Sequence, residues 1–245
     1  MPGPQTPGGG NLPQGPGSGA GSGSVSGAGS GAGSGSVSGA GSGPVSGSFP
    51  GTVSGAAAKT AVRDRLLTAR RRRTPLEQGE HAQSLAGVLL AAPEVARAAT
   101  LACYVSSPGE PGTGPLLDAL RAAGKRVLLP VLKRDMDLDW APFTGATDLV
   151  GARFGLLEPS APALGPEAVA TADVVLVPGL AVSDAGARLG RGGGSYDRAL
   201  ARVPLGTPVW VLLHPEEVGV DVPTEPHDRP VTGAASGDGV VRLPR

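Results

Sequence analysis

No aspartate, glutamate, lysine or arginine occurs before residue 59, so the 21 basic and 21 acidic side chains all lie in the last 187 positions. The uncharged stretch also holds 20 of the 41 glycines within residues 1–55, and its twelve residues 19–30 recur unchanged at 31–42. A segment of Gly, Ala and Ser buries too little apolar surface to offset chain entropy. Residues 1–55 are therefore expected to be a disordered Gly/Ser-rich tail.

Cysteine is nearly missing. Cys103 alone excludes a disulfide framework or a Cys-based zinc cage, and its apolar neighbours suit a buried, inert thiol. The three histidines, His81, His214 and His227, form no His-x-x-x-His pair, so zinc is not expected. His81 is expected to be exposed, and His214 to sit at the edge of the core. No apolar run approaches the roughly 18 residues of a membrane span, and Met1-Pro2-Gly3-Pro4 shows no leader character. A cytoplasmic protein without membrane contact is expected. The formal net charge of zero argues against a general nucleic-acid binder, which needs a positive field. Arg70–Arg73 reads as solvated surface, the rival being an RNA contact made together with the tail.

Residues 56–245 suffice for one compact domain with a sizeable core. The stretch 56–73 lacks Gly and Pro and spaces Val62, Leu66, Leu67 and Arg70 as a helix does, with Pro75 beyond it. Helices are also expected over 76–91 and 115–123. Short apolar runs at 100–105, 126–131, 173–178 and 209–213 alternate with them and lack a polar face. Such runs suit strands covered on both sides, giving an α/β fold with a mainly parallel sheet.

Chemistry concentrates in residues 186–198, GARLGRGGGSYDR. Glycines at 190, 192, 193 and 194 let amide N–H groups crowd an anion, Arg188 and Arg191 supply positive charge, and Asp197 offers a carboxylate. That combination suits a polyphosphate. The run follows the strand at 173–178, and ligands of open α/β sheets collect beyond strand carboxyl ends. It is not a P-loop, since no Gly-Lys-Ser/Thr closes it, and it lies too late for a dinucleotide fingerprint.

Residues 178–198, with Gly-x-Arg-Leu-Gly-x-Gly-x-Gly-x-Tyr-Asp-Arg at their heart, resemble the 5-formyltetrahydrofolate cyclo-ligases, also called 5,10-methenyltetrahydrofolate synthetases. Lys59 and Arg63, Tyr104 and Glu110, Gly155 with Glu158-Pro159, and His227-Asp228 extend the likeness over residues 57–235. Ser195 stands where the family usually has a second tyrosine, and Val182 where it tends to have phenylalanine. The resemblance implies a three-layer α/β domain like those of sugar-phosphate isomerases and CoA-transferases. It also implies ATP-dependent closure of 5-formyltetrahydrofolate to 5,10-methenyltetrahydrofolate, with ATP as co-substrate and Mg²⁺ as metal.

By that resemblance Lys59 and Arg188 act in catalysis. ATP is held by Lys59, Arg63, Arg188, Leu189, Gly190, Arg191, Gly192, Gly193, Gly194, Ser195 and Tyr196. Glu110 and Tyr196 face the reduced folate, and Asp197 and Asp228 hold Mg²⁺. Trp140 lies in a loop-like, Asp-rich approach and is read as a wall of the folate pocket, the rival being a plug in the core. His227 is read as structural or orienting. Small-molecule substrates are the expected partners, with no nucleic acid, and a monomer is expected. The alternative is a catalytically weak relative that binds nucleotide or folate in a regulatory role.

Overall fold

The computed structural model describes residues 55–224 and 228–244. The expected tail lies outside the described residues apart from Gly55, as does His227. Helices α1 (Gly55–Arg70), α2 (Pro75–Ala91) and the short α3 (Pro93–Arg97) precede β1 (Thr100–Ala102), α4 (Gly114–Ala122), β2 (Arg126–Leu132) and β3 (Leu138–Pro142). A hairpin of β4 (Leu149–Gly151) and β5 (Leu157–Pro159) follows, then β6 (Val174–Pro178) and a second hairpin, β7 (Ala181–Val182) with β8 (Arg188–Leu189). The last elements are α5 (Ser195–Leu200), β9 (Val209–Leu212), β10 (Gly233–Ser236) and β11 (Gly239–Arg242).

Seven strands form one sheet in the order β11-β10-β9-β6-β1-β2-β3. The five inner strands run parallel, while β3 and β11 pair antiparallel at the edges. Strand alternation sorts the core into two layers. Leu101, Val127, Leu129, Val174, Leu176, Trp210 and Leu212 face Leu85, Leu89, Leu116 and Leu120 of α2 and α4. Ala102, Leu128, Val175, Val177, Val209 and Val211 face the opposite layer, which includes α5 and Val169. Each fully buried leucine contributes about 1.5–3 kcal/mol, and with both faces covered the apolar runs need no polar alternation. Cys103 is buried, and burial pushes its thiol up to about 12, consistent with an inert role.

Helix boundaries follow local chemistry. Thr74 caps α2, its hydroxyl accepting from the Glu77 amide while the Glu77 carboxylate accepts from the Thr74 amide. Removing such a cap costs about 1 kcal/mol. Two expectations need correction. The Asp-rich segment around Trp140, read as a loop, is strand β3, because Leu138 and Trp140 alternate inward against β2. The arginine run is not uniform surface: Arg70 is 2% exposed and Arg73 half-buried, while Arg71 and Arg72 stay in solvent.

Candidate active site

β1 lies between β2 and β6, so the chain leaves it in one direction and returns on the other side. Crevices form at such switch points, beyond the strands' carboxyl ends. Here a cleft of about 510 Å³ opens between Tyr104 after β1, Leu132 at the end of β2, and Gly179 after β6. Gly179 has no space for a side chain, since a Cβ there would come within 2.5 Å of Val211 Cγ2.

The glycine run forms one wall. In the β7–β8 hairpin Arg188 pairs with Val182, and Leu66 of α1 packs on the hairpin's outer side with Leu180, Ala187 and Leu189. Gly194, at φ +66°, turns the chain into α5, a conformation open to glycine at no steric cost. That turn brings Asp197 to Arg188, whose Nη2 donates to Oδ1 at 2.9 Å while Nη1 donates to the Pro178 carbonyl at 3.3 Å. The same guanidinium lies 5.9 Å from the Tyr196 ring centre, a cation–π contact. Burial pushes the Tyr196 hydroxyl far up, so it is a neutral donor at every working pH.

Glu110, Arg188, Gly190–Tyr196 and Asp197 all line the cleft. Arg63 reaches the run from α1, its Nε donating to the Gly190 carbonyl at 2.9 Å. Arg191 pairs with Glu110 at 3.1 Å across the mouth, and the Ser107 amide donates to the other Glu110 oxygen at 2.8 Å. Lys59 and Asp228 form a pair at 2.8 Å and are not among the lining groups. Leu189 points toward α1, so only its backbone borders the run. Trp140 does not wall the cleft: it is 1% exposed on the sheet face beneath, packed with Val169 and Leu200.

Sequence reasoning missed the opposite rim. Met136 holds φ +65° in the β2–β3 turn and lines the cleft over Gly193. Its carbonyl accepts from Arg198 at 2.6 Å, and Arg202 grips the neighbouring Asp137 through both oxygens. Hydrogen bonding to Arg202 holds the Asp137 carboxyl below its usual range. Nothing local signalled this, because the partners lie more than sixty residues apart.

His214 is buried as expected, with Nε2 donating to the Gly109 carbonyl at 3.4 Å. His81, expected in solvent, is half-buried edge-on against it at 5.2 Å. Burial, then the nearby Arg73 and Arg70 charges, pull the His214 pKa down to about 4. In the unfolded chain a histidine titrates near 6.5. Between those values the unfolded state binds a proton that the native state refuses, so stability is complete above about pH 6.5 and is lost as pH falls toward about 4. Thermal melts across this window should show Tm falling with pH in the wild type and a flatter slope in His214→Gln. An equal slope in both proteins would assign the titration to another group.

Among the described residues, no three His, Cys, Asp or Glu side chains converge as a ready-made metal cage. Asp197, lining the cleft with 23% of its side chain exposed, fits a hard cation that arrives with phosphate oxygens and keeps its own waters.

Comparison with known proteins agrees with this geometry. A model of the 5-formyltetrahydrofolate cyclo-ligase family matches residues 55–236. The chain is 40% identical over 180 residues to the 5-formyltetrahydrofolate cyclo-ligase of Mycolicibacterium smegmatis, covering 71% of this chain and 91% of that protein. It is 38% identical over 133 residues to the Escherichia coli enzyme of the same name, covering 54% and 73%. The solved structure of Aquifex aeolicus 5,10-methenyltetrahydrofolate synthetase superposes with a TM-score of 0.66 at 26% identity, covering 76% of this chain and 93% of that one. With the fold, the glycine run and these relatives in agreement, the chain belongs to the 5-formyltetrahydrofolate cyclo-ligase family.

Proposed function

We propose that the cleft closes 5-formyltetrahydrofolate to 5,10-methenyltetrahydrofolate at the expense of ATP. The observation that carries this reading is the buried Arg188, held by Asp197 and the Pro178 carbonyl beside four glycines at the switch point of the sheet. A formyl oxygen is a poor leaving group. Its attack on the terminal phosphorus forms an O–P bond as the bond to ADP breaks, and the neighbouring amine nitrogen then adds to the activated carbon. The C–O bond breaks, phosphate departs with the oxygen, and the amine proton passes to solvent.

Little covalent chemistry falls to the protein, whose task is to position the reactants and stabilise charge. Arg188 and Arg191 would face the phosphates, with the amides of Gly192–Gly194 completing the cradle. Lys59 and Arg63, one turn apart on α1, would support it from behind, with Asp228 holding Lys59 in place. Asp197 would ligate Mg²⁺, which when bound neutralises phosphate charge. Glu110 would accept a hydrogen bond from the folate, with Tyr196 packing beside it.

The experiment is a spectrophotometric assay of purified protein. An ATP-dependent rise in methenyl absorbance on adding 5-formyltetrahydrofolate is expected. No rise at saturating Mg·ATP, with both ligands shown to bind, would favour the regulatory alternative.

A further inference from the structure

Arg70 and Glu217 have no part in the reaction as described, yet they form the most deeply buried ion pair among the described residues, with side chains 2% and 1% exposed. Two parallel bonds of 2.7 Å join them, Nε to Oε1 and Nη2 to Oε2. Buried pairs of this kind often add no stability over apolar groups of equal volume, so retention calls for another reason. Burial works against the Arg70 charge, but the hydrogen bond and charge of Glu217 more than offset it and keep the guanidinium firmly protonated.

Each partner leads to one wall of the cleft. Arg70 Nη2 also donates to the Gly179 carbonyl at 2.7 Å. The preceding carbonyl, Pro178, accepts from Arg188, so two arginines hold consecutive peptide oxygens where β6 ends. Glu217 Oε2 accepts from the His214 amide at 2.9 Å, and the His214 ring reaches the Gly109 carbonyl, next to Glu110. Gly109 also packs against the stem of Arg70, with its virtual Cβ 3.7 Å from Arg70 Cβ. A single buried pair thus braces the backbone of the phosphate wall on one side and of the folate wall on the other.

We infer that Arg70 and Glu217 are positioning residues that set the separation of Arg188 from Glu110, and with it the alignment of the formyl oxygen on the transferring phosphorus. This inference rests on the proposed reaction. Misalignment of reacting atoms slows chemistry more than it weakens binding, because binding tolerates offsets that bond formation does not.

The test is the double variant Arg70→Met/Glu217→Leu, which leaves no charge unpaired. It should remain folded, with a melting temperature lowered only by what the Gly179 carbonyl and the His214 amide lose as partners. KM for each substrate should stay within about threefold, and kcat should fall about 10- to 100-fold. A folded double variant with wild-type kcat overturns the inference. Should it fail to fold, Arg70→Lys decides, because an ammonium keeps the charge but cannot serve both Glu217 oxygens and the Gly179 carbonyl in the same plane. A lower kcat at unchanged KM supports the positioning role, and wild-type kcat removes it. The wild type assayed alongside separates the two readings: its turnover tests the reaction, and only the ratio of variant to wild type tests the pair.

Discussion

Arg188→Ala is expected to lower kcat/KM for ATP-dependent ring closure by about 10³-fold, the scale seen when a preorganised group facing developing charge is removed. The side chain is 5% exposed, so its charge acts in a low-dielectric setting where water cannot replace it. The substitution has a second consequence. Without the guanidinium, Asp197 and the Pro178 carbonyl both lose a partner. Breaking a buried pair ordinarily costs about 3–5 kcal/mol, and the 23% exposure of the Asp197 side chain reduces this to about 2–3 kcal/mol. Arg188→Lys separates the two effects, since lysine restores a cation, and so most of the stability, but not the fork that serves a carboxylate, a carbonyl and a phosphate together. Kinetics and thermal melts on both variants provide the check. Arg188→Lys with wild-type kcat would exclude the guanidinium from the reaction.

Much of the frame was legible because its causes are local. The apolar runs of β1, β2, β6 and β9 lack polar alternation since both sheet faces are covered. The glycine run stood out for the same reason, since backbone freedom, charge and carboxylate are compressed into thirteen residues, and it lines the cleft. What stayed hidden depends on distant partners. Four consecutive arginines look alike in sequence, and only Glu217, 147 residues away, makes Arg70 an interior residue. Trp140 reads equally as a pocket wall or a core plug in sequence, and only its strand register turns it into the core. Met136 gave no sign at all, because a left-handed methionine depends on clamps from α5 rather than on its own preference.

Asp197→Asn should leave the fold intact, because asparagine has the same shape and keeps an oxygen that accepts from Arg188 at the 2.9 Å position. Loss of charge assistance in that bond costs about 1 kcal/mol. The chemical step should suffer far more, with kcat lower by about 10²–10³-fold, because a neutral amide is a poor ligand for a hard divalent cation. Nucleotide binding distinguishes the metal role from a purely orienting one. As a Mg²⁺ ligand, Asp197 would oppose phosphate through its charge whenever Mg²⁺ is absent and would attract the complex whenever Mg²⁺ is present. The variant is therefore expected to bind ATP more tightly than the wild type in chelator and more weakly in excess Mg²⁺, as read by calorimetry. If Asp197 served only to aim Arg188, the substitution would shift both affinities in the same direction, and the crossing of the two titrations would not occur.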